Sequence, residues 1–442
     1  MSGSAVSLRT RIEERKAIVA VIGLGYVGLP LLRAVLSAGY SAIGFDIDRA
    51  KLAAIEAGRT YIAHLDASPV HAAVTNGSAR VTDDYALLAE ADIIVICVPT
   101  PLGPHQEPDL SYVEATGSGL ARVLRPGQLV VLESTTYPGT TTDLLKPILQ
   151  SGGLVAGRDF HLAFSPERED PGNPLQAAEI PRVVGGDGPV AQELALAFYD
   201  SVVVSTVGVS SPATAEAVKL TENIFRAVNI ALVNELKTVF AAMDIDIWEV
   251  IEAAKTKPFG FMPFYPGPGL GGHCIPIDPF YLTWKAREVE VQTRFIELAG
   301  EVNTSMPRYV VERLADALSR RQRKALAGAR VLLVGVAYKA NVDDTRESPA
   351  FRLWELLERQ EAIVAYHDPH VPVLPATRHY PGLSGKQSTI LSAKVLADFD
   401  AAIICTAHKT VDHALLASHC PLVVDTRNAL GTSGSWPNVV KA

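Results

Sequence analysis

Apolar and polar positions along the chain fall into two alternating blocks separated by one long helical stretch. Ala17 to Ile22 is a short apolar run rich in β-branched residues, the pattern of a strand buried on both faces of a parallel sheet. A helical spacing follows from Leu29 to Ala38, then a second strand from Ser41 to Phe45. Asp92 to Val98, Gln128 to Leu132 and His161 to Phe164 continue the strands. Ser211-Pro212 opens a helical pattern that runs to about Met243, with Pro212 suited to the first helical position. Its apolar positions are Val218, Ile224, Phe225, Val228, Ala231, Leu232, Leu236 and Phe240. At 1.5 Å per residue such a helix is about 45 Å long, enough to join two domains and supply a dimer face.

Alternation then resumes. Val331 to Val336, Ala362 to Tyr366, Ala401 to Cys405 and Leu422 to Asp425 read as strands, with a helix ending near Glu358. Val371 to Ser388 has three prolines, two glycines and no periodicity, and reads as a surface insertion. The expected fold class is α/β: two doubly wound Rossmann-like domains joined by a long central helix. The expected boundaries are 1–205 for a dinucleotide domain, 206–325 for a helical domain, and 326–442 for a second nucleotide-type domain.

The first turn carries specific chemistry. Gly23-Leu-Gly-Tyr-Val-Gly28 follows the first strand directly and opens the first helix, and the second strand ends at Asp46. Strand, G-x-G-x-x-G, helix, strand and acid together form a dinucleotide fingerprint. Gly23 makes the tight turn, Gly25 lets a pyrophosphate reach the backbone, and Gly28 permits close helix–strand packing. The helix N-terminus faces the phosphates. Asp46 is placed to accept ribose hydroxyls and would repel a 2′-phosphate, which favours NAD over NADP. The first strand of the last block has no such motif, so a different nucleotide is expected there.

Composition narrows the picture. A net charge of −8 leaves no basic footprint for nucleic acid or anionic lipid. No apolar run approaches a membrane span, and residues Met1 to Lys16 have no signal core. The cysteines at 97, 274, 405 and 420 have neither metal-ligand spacing nor a disulfide framework. The expectation is a cytoplasmic protein without a metal. Cys97 and Cys405 lie in strand-like runs and read as buried thiols.

Cys274 stands apart, in Tyr265-Pro-Gly-Pro-Gly-Leu-Gly-Gly-His-Cys-Ile-Pro-Ile-Asp-Pro279. Four glycines and four prolines constrain that loop, and Asp278 follows the thiol by four residues. A nucleophile and an inert buried cysteine in a stiff turn both fit the loop taken alone. Glu167, in Ser165-Pro-Glu-Arg168, lies just past a strand end. Lys219 and Asn223 lie four apart and share a helix face. Lys339, Arg346 and Arg427 lie past strand ends of the last block, where cations suit phosphate.

In this order the motifs resemble the UDP-glucose/GDP-mannose dehydrogenase family over about Ala17 to Leu430. The matching residues are Gly23-Leu-Gly-Tyr-Val-Gly-Leu-Pro30, Val98-Pro-Thr-Pro101, Ser134-Thr135, Ser165-Pro-Glu167, Lys219 with Asn223, Gly271-Gly-His-Cys274 with Asp278, Lys339, Asp344-Thr-Arg-Glu-Ser-Pro349 and Asp425-Thr-Arg427. Within the family the loop looks like the bacterial UDP-N-acetylglucosamine 6-dehydrogenase branch. UDP-glucose enzymes typically carry a lysine where this chain has Ile277, and a second glutamate where it has Pro171.

The resemblance implies a four-electron oxidation of the C6 alcohol of a UDP-N-acetylhexosamine, UDP-GlcNAc first among them, using two NAD. UDP-ManNAc, UDP-GalNAc and UDP-glucose are the alternatives. The Cys274 thiolate would attack the intermediate aldehyde, and the resulting thioester would be hydrolysed. Lys219 and Asn223 would stabilise oxyanions, while Glu167 or Asp278 would handle protons and water. Gly23, Gly25, Tyr26, Val27, Gly28, Pro99 and Ser134 would line the NAD site. Asp46 and Lys51 would hold its adenosine ribose, Thr100 and Thr135 its nicotinamide side, and Arg346 its phosphates. Arg168, Tyr265, Gly267, Gly269, Gly271, Lys339 and Arg427 would join Glu167, Lys219 and Asn223 in holding the UDP-sugar. A homodimer or higher homo-oligomer is expected. Two rivals remain: a single-step β-hydroxyacid dehydrogenase, which needs neither Cys274 nor a second α/β unit, and an NAD sensor without turnover.

Overall fold

The computed structural model describes residues 3–62, 65–103, 106–168, 177–272, 275, 277–377, 379–431 and 436–442. It contains two compact units, Met1–Glu222 with Phe280–Val291, and Asn223–Pro279 with Gln292–Ala442.

The first unit is built on eight strands: β1 (Ile18–Ile22), β2 (Ser41–Phe45), β3 (Ala79–Thr82), β4 (Ile93–Ile96), β5 (Leu129–Leu132), β6 (His161–Phe164), β7 (Arg182–Gly186) and β8 (Thr206–Val209). Their order is β3-β2-β1-β4-β5-β6-β7-β8. The first six follow the doubly wound order 3-2-1-4-5-6. Every neighbouring pair is parallel except β6 with β7. All side chains of β4 (IIVI) and β5 (LVVL) are buried, which explains their unbroken apolar runs. Burying each such side chain stabilises the fold by about 1.5–3 kcal/mol.

A helix not anticipated above, Gly3–Glu13, places Ala5, Leu8 and Ile12 in the same core. Their spacing of three and four residues is one helical face. It packs on helix Pro189–Asp200.

The second unit carries β9 (Arg330–Val334), β10 (Ile363–His367), β11 (Ala401–Ile404), β12 (Val423–Asp425) and β13 (Val439–Lys441), in the order β10-β9-β11-β12-β13. All pairs are parallel. Phe351, Trp354 and Leu357 of helix Pro349–Arg359 share a core with Val310, Val311 and Leu314 of helix Arg294–Ala317. Leu396, Phe399 and Leu416 belong to a separate cluster with Leu332, Val334 and Ile404.

One sequence expectation is corrected, and one element differs from what its pattern suggests. The stretch Val371 to Ser388 is not simply surface: Val371, Leu374 and Leu383 are buried in the second unit's core. The Tyr366 phenol donates to the carbonyls of Val371 at 3.0 Å and Lys386 at 3.2 Å, tying both ends down. Its anchors fall at irregular spacing, so periodicity does not disclose them. The long helix, Pro212–Ala241, begins where expected, with the Ser211 hydroxyl accepting the Thr214 N–H at 3.1 Å. Its apolar pattern does not mark its buried face, however. Phe225 and Leu232 are 50% and 52% exposed, whereas Glu216, Lys219, Asn223, Asn234 and Lys237 are buried.

No helix among the described residues is long and apolar enough to cross a membrane.

Candidate active site

The glycine turn after β1 is shaped by close approach. Gly23 has φ +91°, and a Cβ there would lie 2.5 Å from the Cys97 carbonyl oxygen. A Cβ on Gly28 would meet the Gly23 carbonyl at 1.9 Å. Gly25 has open space where its Cβ would be, the cleared backbone a pyrophosphate requires. Tyr26 and Val27 pack beside this turn on the first unit's core. At the end of β2, Asp46 accepts N–H bonds from Leu24 at 2.8 Å and Asp48 at 2.9 Å, and its Oδ2 pairs with Lys51 Nζ at 2.8 Å. Asp46 is thus buried yet positioned at the lip of the glycine turn, and the residues present fit a dinucleotide.

The loops after β4 and β5 lie at the same carboxyl ends. Pro99 is exposed and Thr100 buried, with the Thr100 carbonyl held by the Tyr281 phenol at 2.9 Å. The Ser134 hydroxyl donates to the Val98 carbonyl at 2.8 Å, tying the two loops together, and Thr135 beside it is half-buried.

Glu167 and Lys219 are brought together in the first unit. Both are buried, the ammonium donates to the Glu167 main-chain carbonyl, and it lies 3.8 Å from the Glu167 carboxylate. Arg168, the next residue, pairs with Glu222 at 2.7 Å and donates to the Pro181 carbonyl at 2.8 Å.

Asn223 and Asp278 are brought together in the second unit. Both are buried, and the Asn223 amide donates to the Asp278 carboxylate. Cys274, the expected nucleophile, and the neighbouring His273 lie outside the described residues, as does Pro171.

Three glycines of the loop preceding Cys274 abut protein atoms. A Cβ on Gly267 would lie 2.4 Å from Arg427 Nη1, one on Gly269 3.2 Å from Pro349, and one on Gly271 2.9 Å from both Pro349 and Tyr338. These glycines let the loop press against its own unit. The Tyr265 phenol donates to Glu252 at 2.6 Å and its ring stacks on Trp248. Arg427 Nε donates to the Cys405 carbonyl at 2.8 Å. Arg346 is paired with Asp344 at 2.6 Å. Lys339 lies in the turn after β9.

Several buried polar groups were not singled out from sequence. Glu133, ending β5, accepts from Arg182 at 3.0 Å and from the Tyr199 phenol, all three buried. Burial pushes the Glu133 carboxyl and the Tyr199 phenol upward. Glu216 caps the segment after Pro138 by accepting from the Gly139 and Thr141 N–H groups, and burial raises its carboxyl as well. Asn234 and Lys237 grip Gly267 from the long helix. The available signal was the recurrence of polar residues at 216, 219, 223, 234 and 237, which return to one side of a helix.

A glycine cradle beneath a six-strand doubly wound order, followed by a second parallel sheet, defines a dinucleotide-binding protein with a second nucleotide-type unit. Models of the UDP-glucose/GDP-mannose dehydrogenase family match it in sequence order: the NAD binding domain over residues 17–203, the central domain over 213–305 and the UDP binding domain over 332–432. The chain belongs to this family and is an NAD-binding nucleotide-sugar dehydrogenase. It is 36% identical to an NDP-N-acetyl-D-galactosaminuronic acid dehydrogenase of Ralstonia nicotianae, over 95% of this chain and 96% of that one. It is likewise 36% identical to a UDP-N-acetyl-D-glucosamine 6-dehydrogenase of Pseudomonas aeruginosa, over 82% and 85%. The solved structure of a UDP-D-ManNAc dehydrogenase from Pyrococcus horikoshii superimposes with a TM-score of 0.84 at 31% identity, covering 96% of this chain and 98% of that one.

Proposed function

We propose that this chain oxidises the C6 alcohol of a UDP-N-acetylhexosamine to the carboxylate, as a cytoplasmic homodimer or higher homo-oligomer supplying precursors for polysaccharide or glycoconjugate synthesis. In this reading residues 1–205 hold NAD, 206–325 carry the catalytic loop and 326–442 hold the UDP-sugar. UDP-GlcNAc is the substrate favoured by the loop sequence, and the N-acetylgalactosamine and N-acetylmannosamine relatives make their epimers equal candidates.

The observation that most supports the reading is Lys219, a lysine only 5% exposed whose ammonium rests on Glu167. A buried cation beside a carboxylate suits stabilisation of an oxyanion with a proton acceptor at hand. Asn223, one helical turn on, adds a donor and is oriented by Asp278. NAD, when bound, supplies the hydride acceptor for each two-electron oxidation. The alcohol loses a proton to Glu167 or Asp278 as it becomes the aldehyde. The Cys274 thiolate adds to that aldehyde, forming a C–S bond and a thiohemiacetal whose oxyanion faces Lys219 and Asn223. Its oxidation leaves a thioester, and water cleaves the C–S bond to give the carboxylate and the free thiol.

The test is NADH production from UDP-GlcNAc, UDP-GalNAc, UDP-ManNAc, UDP-glucose and GDP-mannose. Two NADH per sugar are expected from one or more N-acetylhexosamines, and a yield of one would favour the single-step rival. Cys274→Ala is expected to abolish acid formation; near-normal turnover in that variant would remove the thioester.

A further inference from the structure

Lys237 is a buried cation that none of the matched motifs contains. It lies on the long helix, 4% exposed, and its ammonium donates to the Gly267 carbonyl at 3.3 Å. It sits 5.2 Å from the centre of the Tyr309 ring. Asn234, three residues earlier, accepts the Gly267 N–H at 3.0 Å and donates to Asn303 at 3.0 Å. The Gly267 peptide is therefore held from both its ends by one helix. The Arg427 guanidinium closes over the same glycine, 2.4 Å from where a Cβ would be. Two cations thus flank one glycine. Arg427 has Asp425 as an electrostatic neighbour, while among the described residues the charged group acting on Lys237 is Arg427 itself.

An ammonium buried without a carboxylate is costly, and a ligand anion would offset that cost. We propose that Lys237 is a recognition residue for the diphosphate of the nucleotide sugar, acting with Arg427 across Gly267. The proposal rests on the nucleotide-sugar reading above.

It has a titration signature. Burial and the adjacent Arg427 charge bring the Lys237 ammonium down to about 7. Among the described residues the groups facing it are the Arg427 guanidinium from the turn after β12 and the Tyr309 phenol ring from helix Arg294–Ala317. A diphosphate diester is fully ionised near neutrality and favours the protonated amine. Sugar binding therefore takes up a proton, and affinity falls as pH rises above about 7.

The experiment measures KM for the oxidised UDP-sugar between pH 6 and 9 at saturating NAD, in the unmodified chain, Lys237→Met and Lys237→Arg. In the unmodified chain, KM is expected to rise toward about tenfold per pH unit above neutrality. Lys237→Met should raise KM about tenfold or more at pH 6.5 and flatten its pH dependence. Lys237→Arg, which cannot lose its charge, should keep the low KM to pH 9. KM for NAD should stay unchanged. Isothermal titration of the sugar in two buffers of different ionisation enthalpy reads proton uptake in the unmodified chain, so the result survives a variant that fails to fold. A flat KM with no proton uptake overturns the proposal, as does Lys237→Met with an unaltered sugar KM. A shift in the NAD KM alone would assign Lys237 to the dinucleotide and overturn it equally. If no UDP-sugar yields NADH, the nucleotide-sugar reading falls and takes this inference with it; NADH production with an unaltered sugar KM removes the inference alone.

Discussion

Lys219 and Lys237 are both buried on one helix, and their surroundings give them different properties. Lys219 has the Glu167 carboxylate at 3.8 Å and a carbonyl to donate to, so its charge is compensated. Lys219→Ala should lower kcat by about 10²–10³-fold, the usual loss when one oxyanion donor is removed, with KM for NAD little changed. Parallel losses in both would recast Lys219 as a folding residue. Lys237 has no such carboxylate among the described residues, and its lowered pKa carries a sign for stability. Its folded value is about 7, against about 10.4 in an unfolded chain. Between those values the unfolded chain binds the extra proton, so this residue makes the fold more stable as pH rises from 7 to 10. Without substrate, thermal unfolding of Lys237→Met should therefore show its largest gain over the unmodified chain near pH 7, shrinking toward pH 10.

At the scale of elements, the strands plainest in the sequence were those buried on both faces, though β10, mostly not buried, could be read as well. β1, β4, β5 and β11 are continuous apolar runs, and β9 is one after its opening Arg330. β7 was not legible because its apolar run is only two valines, between an arginine and two glycines. That arginine, Arg182, is buried where Glu133, just past β5, and Tyr199 of helix Pro189–Asp200 reach it, a pairing across 49 and 17 positions of sequence that no local pattern encodes. Glu133→Ala should cost about 3–5 kcal/mol in urea unfolding, because it removes the carboxylate that compensates the buried guanidinium. A loss below about 1 kcal/mol would mean that water or another acceptor replaces the carboxylate. The long helix failed in the opposite way: its buried stripe is partly polar, and half-exposed Phe225 and Leu232 gave the apolar pattern a misleading face.

At the scale of the whole molecule, the two sheets repeat one device with different sequences. Gly23 after β1 and Gly335 after β9 both have positive φ, and a Cβ on either would strike a carbonyl of a loop following a strand, Cys97 or Thr406. Only the first turn bears the G-x-G-x-x-G motif, so only the first was legible as a nucleotide cradle. Gly28→Ala should weaken NAD binding at least about tenfold by forcing the turn open, while UDP-sugar binding, measured by titration without NAD, should persist. Loss of both would show that the substitution unfolds the chain.

The acids that end β2 and β10 carry the comparison further. Among the described residues Asp46 accepts three hydrogen bonds, from Leu24, Asp48 and Lys51, one short of the roughly four a carboxylate offers. Asp368 accepts from the N–H groups of Val336, Ala337, His370 and Val371. His408 adds a fifth: its Nδ1 accepts the Asn341 N–H, so its Nε2 carries the proton and donates to Asp368 at 3.0 Å. A dinucleotide seeking a ribose acceptor finds spare capacity at one acid and a full shell at the other. That difference in free acceptor capacity runs parallel to the family models, which match an NAD binding domain around the first acid and a UDP binding domain around the second.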